Sequence, residues 1–162
     1  MKIGVISDTH GDLAAMRRAV TTIGYVDCWL HAGDYSKDRF FLADLTGIKV
    51  YAVKGNCDFH EEETALLDEY ITIENTKIWL THGHNYEAKN REVELAWWAK
   101  QYEANVVVYG HSHIPYNNYI DNILIFNPGS PFRPRGGTKH SCGIITINPK
   151  GLKGEIIEIP RT

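Results

Sequence analysis

Short apolar runs alternate with helical periods through the first third of the chain. Lys2–Ser7 (KIGVIS) is a β-rich run that stops at Asp8, and Asp12–Val20 sets Leu13, Met16 and Val20 at helical spacing. Asp27–His31 (DCWLH) is a second apolar run, stopped by Ala32-Gly33-Asp34. A short helix is predicted over Asp38–Leu45 and a third strand over Lys49–Val53, stopped by Lys54-Gly55-Asn56. Strand, helix, strand, helix, strand is the order of parallel βαβ units. Later the pattern changes to paired strands. Tyr70–Ile73 and Lys77–Thr81 flank Glu74-Asn75-Thr76, Tyr116–Ile120 and Ile123–Phe126 flank Asp121-Asn122, and Cys142–Ile147 and Leu152–Ile159 flank Asn148-Pro149-Lys150-Gly151. Each reads as a hairpin. Arg91–Glu103 is a helix candidate, followed by the strand Asn105–Tyr109. The loop Asn127–His140, rich in Gly, Pro and basic residues, is the longest irregular segment. One α/β domain over residues 1–162, with mixed sheets and helices outside them, is the expected architecture.

Composition changes this picture in three respects. The 17 basic and 20 acidic residues leave a formal charge of −3, which lacks the basic excess of a nucleic-acid-polymer binder. Three cysteines, Cys28, Cys57 and Cys142, are an odd number without C-x-x-C spacing, so reduced thiols are the simpler reading. No apolar run reaches the length of a membrane span, and the start of the chain lacks the apolar stretch of a signal peptide. A soluble cytoplasmic protein with no membrane contact is expected.

The informative residues are those that stop the strands. Asp8-Thr9-His10, Gly33-Asp34, Gly55-Asn56, Thr81-His82-Gly83-His84 and Gly110-His111-Ser112-His113 each follow an apolar run. Ligands of open α/β sheets gather at the carboxyl ends of strands, so these side chains can converge on one edge. Residues two apart in extended chain share a side, which would let Asp8 with His10, and His111 with His113, face one pocket. Asp8, His10, Asp34, Asn56, His82, His111 and His113 are seven donors without a thiolate. That set suits Mn²⁺, Fe²⁺, Ni²⁺, Co²⁺ or Zn²⁺ better than Ca²⁺ or Mg²⁺. Seven donors exceed the need of one ion and suit two that share a carboxylate, about 3.5–4 Å apart. The net positive centre would attract a phosphate.

The pattern D-x-H, G-D, G-N, H-G and G-H-x-H resembles the calcineurin-like metallophosphoesterase superfamily. Its small bacterial and archaeal phosphodiesterase branch is the nearest in length. The resemblance runs from about Met1 to Ser130 and includes Asn127-Pro128-Gly129-Ser130. It implies a four-layer α/β/β/α sandwich of two mixed β-sheets flanked by helices. It also implies that Asp8, His10, Asp34 and His113 bind one ion, and that Asp34, Asn56, His82 and His111 bind the other, Asp34 bridging. The nucleophile implied is a metal-bridging hydroxide, and Mn²⁺ is the ion expected first. Many members follow the metal-binding Asn with a His that protonates the leaving group. Here Cys57 and Asp58 follow Asn56, and His84 is the nearest other donor in sequence. Asp34, Asn56 and His84 are therefore the expected catalytic residues, and Asn56, His84, Arg133 and Arg135 the expected contacts of a small phosphate-ester substrate.

Each of these residues alone has a plainer explanation. Asp and Asn at strand ends cap turns and helices, Cys57 and Asp58 suit loop packing, and solvated loop arginines are common. His31 lies in an apolar run and reads as a core histidine, while His60 and His140 read as surface residues. Trp97 and Trp98 cannot share a helix face fully. One belongs to the core and the other to a rim or a homodimer contact. The competing functions are a phosphomonoesterase, a nuclease, and a protein-binding scaffold of the same fold, as in the retromer subunit that this sequence also resembles.

Overall fold

The computed structural model describes residues 1–59 and 64–160, so His60 lies outside the described residues. In chain order the elements are β1 (Lys2–Ile6), α1 (Leu13–Ile23), β2 (Cys28–His31), α2 (Asp38–Thr46), β3 (Val50–Ala52), β4 (Asp68–Ile73) and β5 (Thr76–Thr81). They continue with α3 (Arg91–Gln101), β6 (Val106–Val108), β7 (Tyr116–Ile120), β8 (Ile123–Asn127), β9 (Ser141–Asn148) and β10 (Gly151–Glu158). Two five-stranded mixed sheets result, ordered β10-β9-β1-β2-β3 and β4-β5-β6-β8-β7. The strands β1, β2 and β3 are parallel in the first sheet, and β5, β6 and β8 in the second.

Strand alternation sorts the apolar side chains into layers. Ile3, Val5, Cys28 and Leu30 of the first sheet face Ile78, Leu80, Val106, Val108 and Phe126 of the second, forming the core between sheets. The opposite faces carry Ile6 and Trp29, which pack on Met16, Ala19 and Leu42 of α1 and α2. Trp79, Val107, Tyr109 and Ile125 pack on Leu95, Ala96 and Ala99 of α3. The order of layers is therefore helices, sheet, sheet, helix, as the resemblance implies. Each fully buried Leu or Ile in these cores contributes roughly 1.5–3 kcal/mol of transfer free energy.

Local chemistry explains where the elements end. The Asp12 side chain caps α1 by accepting from the Ala15 amide, and the helix runs past Val20 to a stop at Gly24, φ 71°. Glu103 sits at φ 56°, so α3 ends at Gln101 instead of continuing to that residue. Glu74-Asn75 and Asp121-Asn122 have positive φ at both positions, the backbone of a two-residue hairpin turn. Thr76 already belongs to β5. Trp97 is 56% exposed, whereas Trp98 packs against the α3 core. His140 is half-buried and donates from Nδ1 to Pro131 O, so it is less exposed than its loop suggested.

Candidate metal centre

The parallel strands of both sheets end at one edge of the molecule, and that edge gathers the strand-stopping residues. Asp8 follows β1, Asp34 follows β2, Asn56 follows β3, His82 follows β5, and His111 and His113 follow β6. Backbone hydrogen bonds stitch the loops together. The Asp8 amide donates to Gly33 O at 3.0 Å, and the Gly110 amide to His82 O at 3.1 Å.

All seven expected donors come together. One atom each from Asp8, His10, Asp34 and His113 falls within 4.8 Å of the others. On the other side of Asp34, His82 Nε2 lies 3.2 Å from Asp34 Oδ1 and 3.2 Å from Asn56 Oδ1. His111 Nδ1 lies 2.9 Å from the same Asn56 oxygen. Asp34 thus stands between two groups of side chains.

The way they converge differs from the extended-chain alternation expected of D-x-H and H-x-H. Asp8, His10, Asp34, His111 and His113 have φ of 55°, 48°, 57°, 65° and 59°. Left-handed backbone, not a two-residue repeat, turns these side chains inward, at a strain of about 1 kcal/mol or more per residue. Buried hydrogen bonds hold it. Asp38 Oδ2 accepts from the Gly11 amide at 2.9 Å and from the Thr9 hydroxyl at 2.6 Å. The Gly33 amide donates to His31 Nδ1, which leaves His31 Nε2–H to donate to Thr9 Oγ1 at 3.0 Å. His31 is thereby the hydrogen-bonded core histidine its apolar strand suggests. Asp58 joins two loops, accepting from the Ser36 amide at 2.8 Å and the Gly55 amide at 2.7 Å. Ser130 Oγ donates to Asp8 O. In the sequence Asp38 marks only a helix start and Asp58 suits loop packing; the one local signal is an acidic residue a few positions after a Gly-containing loop.

The donor chemistry fits a cation. Asp8 Oδ2 accepts from Ser7 Oγ and the His111 amide, while Asp8 Oδ1 is buried with no hydrogen bond among the described residues. His82 Nδ1–H donates to Ala32 O at 2.7 Å and His113 Nδ1–H to Arg133 O at 2.6 Å, which turns both Nε2 lone pairs toward the carboxylates. His10 Nε2 faces His113 Nε2 at 3.3 Å. Acceptors face acceptors here, an arrangement that a proton or a metal ion relieves. Asp8 and Asp34 are 0% and 2% exposed, and among the described residues their ion-pair partners are histidines.

Protonation follows from the same crowding. Burial alone would depress His82, but its hydrogen bond to Asp34 and the charges of Asp8 and Asp34 outweigh it and raise its pKa. Burial would raise Asp34, yet the His82 contacts and the Cys57 amide hold it well below the usual carboxylate range. His111 is pushed down to about 4, by burial first and then by the charges of His82 and Arg91. The metal-free cluster therefore draws a proton onto His82 and leaves His111 neutral.

A cleft of about 420 Å³ opens over the cluster, lined by His10, Asp34, Asn56, His111 and His113. Tyr35, Cys57, Phe59, Arg133 and Arg135 complete its wall. No local sequence pattern marks Tyr35 or Phe59 as part of this wall. His84 is not on this wall. Its ring lies 5.4 Å from His82 and 6.2 Å from His111, half-buried, with Nδ1 lacking a partner among the described residues.

A family model for the calcineurin-like phosphoesterase superfamily domain matches residues 1–150. The phosphodiesterase MJ0936 of Methanocaldococcus jannaschii is 30% identical over 165 residues, covering 92% of this chain and 89% of that protein. A crystal structure of a conserved Streptococcus pneumoniae protein, described as a predicted phosphoesterase, gives a TM-score of 0.81 at 30% identity over 98% of this chain and 92% of that one. Vps29 of Entamoeba histolytica, solved with zinc, shares the fold at a TM-score of 0.73 and 23% identity, over 99% and 100% of the two chains.

Proposed function

The chain belongs to the calcineurin-like phosphoesterase superfamily, and from that premise we propose that it is a dinuclear-metal phosphodiesterase acting on a small phosphate ester. The observation that carries the reading is Asp8 Oδ1, buried with no hydrogen bond among the described residues and faced by the inward-turned Nε2 atoms of His113 and His82. Asp8, His10, Asp34 and His113 would hold one ion, and Asp34, Asn56, His82 and His111 the other. Donors of imidazole, carboxylate and amide type favour Mn²⁺ first, with Ni²⁺, Fe²⁺, Co²⁺ and Zn²⁺ as alternatives. Bound divalent cations supply Lewis acidity toward phosphate oxygens and a water acidic enough to attack phosphorus at neutral pH.

The chain's own residues do the rest. Ala32 O and Arg133 O fix the rings of His82 and His113, so the donor atoms are oriented before substrate arrives. Arg133 and Arg135 place two cations on the cleft wall, where a guanidinium fork matches phosphate oxygens. Asn56, on the floor, bonds both His82 and His111 and completes the second group. Cys57 occupies the place of the superfamily's usual acid, and burial pushes its thiol up to about 11, which makes it a poor proton donor. The substrate that suits this site has a leaving group that departs with little assistance, such as an aryl oxyanion. His84 is the residual donor, though burial and the charge of His82 hold its pKa down.

Manganese titrated into EDTA-stripped protein should bind at about two ions per chain, and bis(4-nitrophenyl) phosphate should then be hydrolysed. Asp34→Asn should abolish both, whereas His84→Ala should slow turnover by less than the roughly 100-fold expected of a full general acid. Metal binding without turnover of aryl diesters or monoesters would turn the assignment to a docking scaffold.

A further inference from the structure

A second cavity of about 380 Å³ adjoins the cleft and shares His111 and Arg135 with it. Its other walls are Ala88, Arg91, Glu92, Tyr109, Ser112, Ile114 and Tyr116. The size falls within the range of small-ligand pockets. Aliphatic and aromatic groups cover much of the wall, so the space suits an organic moiety rather than a bare phosphate.

Arg91 is the unexplained group in that wall. It is only 6% exposed, and its Nε donates to Gly83 O at 3.1 Å. Among the described residues its Nη groups have no hydrogen bond, and no carboxylate lies within ion-pair distance. Glu92 lines the same cavity but turns its carboxylate to the Tyr109 hydroxyl at 2.5 Å. The stem of Arg91 is buried, while its Nη groups are not fully enclosed, so they open to the cavity and present their donors there without a counter-ion. Arg91 also stands at the first position of α3, where the helix dipole disfavours a cation and adds its own positive potential. Glu92 and Glu94 of the same turn offset part of that potential, but Glu92 is engaged by Tyr109, so an anion placed in the cavity would take up the unpaired Arg91 donors.

We propose that this cavity receives one organic arm of the substrate and that Arg91 binds a second oxyanion, a carboxylate or phosphate, carried on that arm. The proposal rests on the phosphoesterase reading, because His111 and Arg135 join the arm's cavity to the reacting phosphate. It makes the substrate a phosphate ester with two anionic centres, one at the metal cluster and one at Arg91.

The test compares probes that differ by one carboxylate. Phenylphosphonate and its 3- and 4-carboxyphenyl analogues are titrated calorimetrically into the manganese-loaded protein. In parallel, phenyl 4-nitrophenyl phosphate is compared as substrate with its 3- and 4-carboxyphenyl counterparts. The better carboxylated isomer should bind roughly tenfold more tightly than the plain probe, the size of one charge-assisted contact. That ratio should fall toward one in Arg91→Gln. Arg91→Met, which removes the charge while keeping the stem, should lose the ratio equally and serves if the glutamine variant does not fold. A wild-type ratio near one overturns the anion site and leaves the phosphoesterase reading standing. So does a ratio lost in Arg135→Gln but kept in the Arg91 variants. Absence of any ester turnover beside an intact binding ratio would instead remove the phosphoesterase reading and keep Arg91 as an anion site.

Discussion

Asp8 divides the work of its carboxylate between structure and chemistry. One oxygen accepts from Ser7 and from the His111 amide, so it ties the β1 loop to the β6 loop. The other is buried with no hydrogen bond among the described residues, 3.2 Å from His113 Nε2. Asp38 Oδ2 accepts from the Gly11 amide and the Thr9 hydroxyl, and the two Asp58 oxygens accept from the Ser36 and Gly55 amides, so both residues hold loops instead. His82 links this to pH. Its Nε2 must lose a proton before it can donate to a metal, and its pKa lies above the ordinary 6.5 once its bonds to Asp34 and the nearby carboxylates outweigh burial. Manganese affinity should therefore rise as pH increases through and above 6.5, then level off once His82 is neutral in the free protein. His111, at about 4, adds no such dependence in that range. Calorimetry at pH 6.5 in two buffers of different ionisation enthalpy should report net proton release on binding. Identical heats in both buffers, with a flat affinity across the range, would show that His82 is not a ligand.

At the scale of elements, the strand ends depend on glycines where a side chain has no room. A Cβ on Gly55 would stand 2.2 Å from Asp34 Oδ1 and 2.8 Å from His82 Cδ2, and one on Gly110 would stand 1.9 Å from Ser7 Oγ. Gly55→Ala must therefore displace Asp34 or the β3 loop. It should weaken manganese binding by about 10–100-fold, the usual effect of disturbing groups that orient metal ligands. The β3 strand itself should persist, since Val53 remains packed in the core between sheets. Unchanged affinity with a retained circular dichroism spectrum would mean the β3 loop is not part of the site. These strands were legible because each apolar run ends abruptly at a polar donor, and the tight turns because Asn and Asp accept positive φ. The sheet order was not. β9 pairs with β1 across almost the whole chain, and a local pattern carries no record of its partner. Nor did spacing reveal the left-handed backbone at Asp8, His10 and His113, which depends on Asp38, Ser130 and the loops around them. The same gap hid Arg91, which reads in sequence as an ordinary first residue of a helix.

For the whole molecule, the cluster is a joint between two sheets. Asp8, His10, Asp34 and Asn56 come from loops of the first sheet, and His82, His111 and His113 from loops of the second. The sheets already share a core of Ile3, Val5, Leu30, Leu80, Val108 and Phe126. In the metal-free protein, however, two buried carboxylates and several inward lone pairs oppose that packing at one edge. Ions bound there would cancel the repulsion and bind only the folded chain. One site held at a hundred times its dissociation constant adds about 2.7 kcal/mol, which in a domain of this size corresponds to a rise of roughly 5–10 °C in melting temperature. Thermal melts with manganese and with EDTA should differ by at least that much. Asp34→Asn should erase most of the difference, because Asp34 stands between both groups of donors. The Arg91 variants should preserve it, because Arg91 lies outside the seven donors. Melting that ignores manganese in the wild-type protein would mean that the two sheets meet at this edge for packing alone, and the acceptor crowding would need another counter-charge.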